Sequence, residues 1–244
     1  MADVLTVPVS RPFNFRLAMG LPIGLMLLLL IFDPTALDYF LARLFYIPGE
    51  GFIGAHSYWL ETILHDRAKQ LVIAMALGFA VAFALSWKVA ALRPWRRTLG
   101  YIVLAMGLST AVITPLKNLT QVQCPWSLSD FGGVETHTPL LSHRAPSLKP
   151  GLCWPGGHAA TGFSLLALFF ALRDRKPGAA RVALVFAIAL GALFSLGRMM
   201  QGAHFLSHNL WTLLIDWLIC LGCYRWLLYR PQRTVARAGT ALSS

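Results

Sequence analysis

Six apolar stretches alternate with polar, often basic, segments along the chain: Leu17–Phe32, Leu71–Trp87, Leu99–Leu116, Gly157–Leu172, Val182–Met200 and Phe205–Leu228. Each is close to the ~17–25 residues that a helix needs to cross a bilayer. The pattern predicts an all-α integral membrane protein, a six-span transmembrane helix bundle whose 244 residues form a single domain. The first stretch follows Arg11 and Arg16, as the apolar part of a signal peptide would. Asp33-Pro34 comes after it in place of a small-x-small cleavage site, so it reads as an uncleaved anchor.

Two of the intervening segments are long. Residues 33–68 contain amphipathic stretches at Leu37–Tyr46 and Tyr58–His65, which predict short helices lying in the membrane interface. Residues 118–156 are rich in Pro, Gly and Ser and predict irregular structure. Loops of this length are usually functional.

Composition narrows the class. Hydrophobic residues make up 57% of the chain and charged residues only 13%, which excludes a soluble globule and a disordered chain. The net charge of +11 is distributed unevenly. Fourteen of the 21 Lys and Arg fall in the N-terminal segment, the 88–97 and 173–181 turns and the C-terminal segment. The other side holds seven, together with seven of the ten acids. The positive-inside rule then puts both termini in the cytoplasm and the two long loops outside, an arrangement that fits a bacterial inner membrane with a periplasmic active face. The basic charge orients the chain and suits anionic lipids on the cytoplasmic side; it needs no nucleic-acid partner. Trp87, Trp95, Trp126, Trp154 and Trp226 lie near span ends, as an interfacial aromatic belt would. Oligomeric state is not legible in this pattern.

Cys124 and Cys153 share the outer loop, in a compartment that permits disulfides, and a bridge between them would staple that loop; two unpaired thiols are the alternative. Cys220 and Cys223, inside the last span, read as small apolar core residues.

Candidate chemistry gathers on the outer side, where all seven histidines fall. Span three ends at Lys117, span four begins beside His158, span five ends at Arg198 and span six begins at His204. Two cations and two imidazoles thus cap four helix ends on one membrane face. Lys and Arg neutralise an anion, and the guanidinium fork fits phosphate oxygens. Pro155-Gly156-Gly157-His158 opens a helix whose free N–H groups and positive dipole end also favour an anion. One histidine can attack phosphorus while a second protonates the leaving alkoxide. Such a cluster suits phosphoryl transfer and requires no metal or other cofactor.

At these residues the sequence resembles the type 2 phosphatidic acid phosphatase superfamily, which also contains vanadium haloperoxidases. That family carries Lys-x6-Arg-Pro, then Pro-Ser-Gly-His, then Ser-Arg-x5-His-x3-Asp. Here the three read Lys117 to Cys124-Pro125, Pro155-Gly156-Gly157-His158, and Gly197-Arg198 to His204 and His208. Order and spacing match over about residues 100–228. The resemblance implies that His204 is the nucleophile forming a phosphohistidine, that His158 is the general acid, and that Lys117 and Arg198 hold the phosphate with backbone amides at Gly156 and Gly157.

Four positions depart from the pattern. Cys124 stands for the Arg of the first motif, with Arg144 or Lys149 as candidate substitutes. Gly156 and Gly197 stand for serines. His208 stands for the Asp that would orient the nucleophile, with Glu61, Asp66, Asp130 or Glu135 as candidate carboxylates. His208 could itself serve, one turn along the helix from His204. The i, i+4 pair His204 and His208 is also a zinc-ligand spacing, with His137 or His143 as a third ligand. Asp216, in the middle of a span, should face the bundle interior.

The resemblance and the cluster together imply a lipid phosphatase. It would remove phosphate from a lipid phosphate or diphosphate: undecaprenyl diphosphate, phosphatidate, phosphatidylglycerol phosphate or lipid A. Transfer of phosphate to a second lipid, or binding of a lipid phosphate without turnover, are the alternatives.

Overall fold

The computed structural model describes residues 10–144 and 149–231, and the fold is mostly helical. Helices α1 (Phe15–Ile31) and α2 (Thr35–Arg43) come first, followed by a two-stranded hairpin, β1 (Tyr46–Ile47) with β2 (Gly51–Phe52). A wide π-type helical segment, Trp59–Ala68, runs straight into α3 (Lys69–Leu85). Next are α4 (Arg96–Ala111), α5 (Ile113–Thr120), α6 (Gly157–Phe163), α7 (Leu166–Leu172), α8 (Pro177–Met200) and α9 (Leu206–Leu227).

Among the described residues four helical runs are long and apolar enough to cross a membrane: Trp59–Leu85, Ala90–Ser127, Pro177–Met200 and Leu206–Leu227. A fifth arises if α1 and α2, bent by 86° between them, count as one span. The remaining stretch, Gly157–Leu172, is a shorter apolar helix. The six apolar stretches of the sequence therefore become four long helices, one bent pair and one short broken helix.

The breaks have local causes. Pro34 cannot continue the ladder of α1, and the Asp33 carboxylate accepts the Thr35 N–H at 3.0 Å, which starts α2 on a new axis. Pro115 has no N–H to offer the Ala111 carbonyl, and α4 gives way to α5 there. Ser164 Oγ donates back to the Thr161 carbonyl at 2.8 Å, and the chain tightens between α6 and α7. The expected interfacial helix at Tyr58–His65 is instead the first part of the long Trp59–Leu85 run, because neither Pro nor Gly interrupts residues 59–77. The irregular segment expected from residue 118 starts after Thr120, where α5 ends on left-handed Gln121.

Helix α9 packs against α1, α4, α6 and α7, while α8 lies across α6 and α7. Tyr101, Phe170, Leu221 and Tyr224 fill the core between them. Helices α6 and α8 cross at Gly162 and Gly191: a Cβ on Gly162 would lie 2.6 Å from the Gly191 Cα, so only a hydrogen allows this approach. Leu71, Leu77, Val81, Val182 and Val185 are exposed on the outer faces of α3 and α8, as helices surrounded by lipid require.

The bundle has two dissimilar ends, separated by the ~36 Å length of α8. At one end the chain segments near both termini meet: Ser10 N–H donates to the Arg230 carbonyl and Arg11 N–H to Asp174, while Arg173 donates to the Tyr224 hydroxyl at 2.5 Å. At the other end the two long loops fold together around Ala42, Phe52, Leu128, Phe131 and Phe205. Phe205, which follows His204, anchors the start of α9 in that aromatic cluster.

Candidate active site

The α8–α9 connection carries His204, with Arg198 in the last turn of α8 before it, and the loops hold it on both sides. Gly54 N–H donates to the Met200 carbonyl and Trp126 N–H to the Gly202 carbonyl, each at 2.9 Å. Asp38 of α2 takes the backbone N–H of Ser207 at 2.9 Å and also the Ser207 hydroxyl. A carboxylate from a distant helix thus satisfies an N–H in the first turn of α9 that has no partner within the helix.

Lys117, Gly157, Arg198 and His204 are brought together. A Cβ placed on Gly157 would lie 3.4 Å from Lys117 Nζ, so the ammonium sits against the first residue of α6. Arg198 donates to Gln201 Oε1 at 2.8 Å, and its guanidinium stands 5.6 Å from the centre of the Trp126 ring. His158 and Arg198 line one small cavity with Gly197 and Gln201. His204 is buried, and it lies close enough to Lys117 and Arg198 to feel both charges. Burial first, then His208 and the two cations, hold its imidazole well below the ordinary 6.5. The neutral ring, the form with a lone pair to offer, is therefore dominant at neutral pH.

His204 Nδ1 lies 2.7 Å from the Cys153 carbonyl oxygen. A carbonyl can only accept, so Nδ1 carries the proton and Nε2 keeps its lone pair. Cys153 is joined to Cys124 by a disulfide, with Cα atoms 5.2 Å apart. The rings of His204 and His208 meet edge to face with centroids 6.0 Å apart, too far for a bond from ring nitrogen to ring nitrogen.

Gly156 sits against α9. Its N–H donates to the His208 carbonyl at 3.3 Å, its carbonyl accepts from Thr212 Oγ1 at 3.2 Å, and a side chain here would strike Asn209 Oδ1. The space that a serine would need is filled by Asn209.

Several candidates are placed elsewhere. Arg144 turns its guanidinium onto carbonyls of its own loop, at Thr138, Pro139 and Leu140, and does not stand in for the first-motif arginine. Asp130 accepts from the Tyr39 hydroxyl at 3.2 Å. None of the suggested carboxylates is among the groups acting on His204. His137 and His208 line a separate cavity of about 250 Å³ with Asp33 and Asp38, and His143 is exposed. Among the described residues no group of three His, Cys, Asp or Glu side chains is placed to hold a metal. Asp216 is fully buried in the bundle interior.

Sequence reasoning missed Gln201, Asn209 and Asp38. Gln201 follows Arg198 by three residues, one helical turn, and that spacing was legible. Asn209 is an amide at the start of an apolar span, itself a signal. Nothing in the sequence ties Asp38 to Ser207.

The fold and this cluster define a helical protein of membrane type with a cationic, histidine-bearing site at one end of the bundle. Residues 98–232, more than half of the chain, match the model of the PAP2 superfamily, and the chain belongs to that superfamily. Membership supports phosphatase chemistry on phosphate esters. No curated protein and no solved structure matches the chain.

Proposed function

We propose that the protein is an integral membrane lipid phosphatase working through a phosphohistidine. In this reading Lys117 and Arg198, with the Gly157 backbone N–H, hold the phosphate; the Gly156 N–H, also expected there, is taken by the His208 carbonyl. His204 Nε2 attacks phosphorus, and His158 protonates the leaving lipid alkoxide. Water then releases phosphate from His204, and no metal enters the cycle. His208 adjoins the site as a neighbour of His204.

The observation that carries the lipid reading is an apolar cavity of about 410 Å³ between α3, α4 and α6. Ile73 and Leu77, both exposed on the outer surface, form part of its wall, as does Thr161, three residues after His158. An acyl or prenyl chain lying in this opening would have its headgroup near the start of α6. In this reading the chain crosses six times, with α6 and α7 forming a short span and α2 turned along the interface. Both termini lie in the cytoplasm with anionic lipids around the basic end, and the site faces the periplasm of a bacterial inner membrane.

The test is phosphate release by the purified protein in detergent with chelator present. The panel is undecaprenyl diphosphate, phosphatidate, phosphatidylglycerol phosphate and lipid A, with a water-soluble phosphate ester beside them. The reading expects release from at least one lipid and little from the soluble ester. Equal rates on the soluble ester would refute the lipid assignment. Activity lost in chelator would refute the metal-free mechanism. Labelled phosphate appearing on an acceptor lipid would make the protein a transferase.

A further inference from the structure

We infer that the backbone carbonyl of Cys153, fixed by the Cys124–Cys153 disulfide, is the group that orients His204 for attack. The inference rests on the reading of His204 as nucleophile. Two departures from the motif pattern then compensate for one another. Cys124 occupies a position where a phosphate-binding arginine was expected, and the residue it bonds to presents the acceptor that the missing carboxylate at position 208 would have supplied.

The geometry is specific. His204 Nδ1 lies 2.7 Å from Cys153 O, and both residues are buried. The carbonyl accepts only, so this bond selects the tautomer with hydrogen on Nδ1 and leaves the Nε2 lone pair free. The segment bearing Cys153 is tied to the chain that follows Lys117. Cys153 N–H donates to the Val122 carbonyl at 3.1 Å, Thr120 Oγ1 donates to the Trp154 carbonyl at 3.2 Å, and the disulfide joins position 124 to position 153. The peptide that fixes the nucleophile is thereby held by the same segment that supplies Lys117.

The arrangement differs from a carboxylate in one chemical respect. A carbonyl orients the ring and fixes its tautomer, but it brings no negative charge to stabilise an imidazolium. The attacking ring is neutral, and the positive charge it gains when Nε2 bonds to phosphorus is offset by the anionic phosphoryl group it then carries. Cys153 is accordingly a positioning residue, and it acts through its main chain.

The experiment uses the full chain, labelled with ¹⁵N-histidine and purified in detergent without reductant. The first readout is the His204 ring, assigned by comparison with His204→Gln. We expect a protonated Nδ1 and an unprotonated Nε2; a proton on Nε2 in the oxidised protein would overturn the inference. The second is the double variant Cys124→Ser/Cys153→Ser. We expect the Nδ1–H signature to be lost or averaged and kcat to fall about tenfold or more, with KM changed less than about twofold. Unchanged kcat and an unchanged ring signature would overturn it.

The third readout is rescue. His208→Asp placed in the double-serine background restores a carboxylate one turn from His204, and we expect it to recover most of the lost kcat. A disulfide that merely stabilised the loop would not be rescued in this way. If the wild-type protein releases no phosphate from any lipid while His204 keeps its Nδ1 proton, the phosphatase reading fails and the orienting bond stands. If it releases phosphate with the opposite tautomer, the inference fails and the phosphatase reading stands.

Discussion

Gly156 and Asn209 occupy one another's space: a Cβ on Gly156 would run into Asn209 Oδ1. The glycine follows Pro155 at the start of α6, and the asparagine lies in the first turn of α9, where its Nδ2 donates to the Phe205 carbonyl at 3.1 Å. Gly156→Ser, which would restore the motif residue, should therefore destabilise the protein by about 1–3 kcal/mol through overpacking. In the double variant with Asn209→Ala the two effects should fall short of their sum by about 1 kcal/mol or more. Denaturation of the four proteins in detergent measures the coupling; strict additivity would show that the two residues do not compete.

Arg198 contributes a planar fork. One arm is held by Gln201, the guanidinium stands over Trp126, and the buried Nε has no hydrogen-bond partner among the described residues. Arg198→Lys keeps the charge and loses the fork, so it is not a conservative change here. We expect kcat/KM to fall about 10²–10³-fold, as when a single donor to a developing oxyanion is removed. Steady-state kinetics with the best lipid of the panel checks this, and a loss below about threefold would mean that charge alone suffices.

The neutral state of His204 sets the expected pH dependence. Its folded-state pKa is depressed below 6.5, so the unprotonated ring that the proposed attack requires persists in mildly acid solution. The acid limb that this residue imposes on kcat/KM should lie below pH 6.5. Stability carries the complementary sign: below 6.5 the unfolded chain binds a proton that the native state refuses, so native stability falls as pH drops from 7 towards 5. His204→Gln removes that contribution. Thermal unfolding of wild type and variant at pH 5 and 7 should show a larger acid loss for wild type; equal losses would contradict the assignment.

Asp38 ties the outer loops to α9 by accepting both the backbone N–H and the hydroxyl of Ser207. Asp38→Ala leaves that N–H without its partner and should cost about 1–3 kcal/mol of stability. Ser207→Ala, which retains the backbone bond, should cost less. Unfolding midpoints in detergent rank the two, and the reverse order would show that the hydroxyl bond dominates.

The apolar stretches were legible because lipid-facing helices need long runs of apolar residues, and the observed helices keep close to them. The breaks in those helices were harder to read: Pro115 lies inside an apolar run, and Ser164 acts through a bond to a carbonyl three residues back. Lys117, His158, Arg198 and His204 could be picked out because each lies at the end of an apolar run on one side of the chain. How the ring of His204 is held was not legible. Its partner is a main-chain carbonyl, which every residue possesses, and only the fold brings Cys153 to it. The aromatic cluster of the outer loops was hidden likewise, since Phe52, Leu128 and Phe205 are distant in sequence and share no periodicity.

In the proposed mechanism His204 carries phosphate during turnover. The most direct measurement is rapid trapping in alkaline detergent with a ³²P-labelled lipid phosphate, followed by peptide mapping at alkaline pH, with His204→Ala run beside wild type. We expect an acid-labile, base-stable label on the peptide containing His204 and none in the variant, whose phosphate release should fall at least about 10³-fold. Phosphate release by His204→Ala at the wild-type rate, or a label on a different residue, would contradict it.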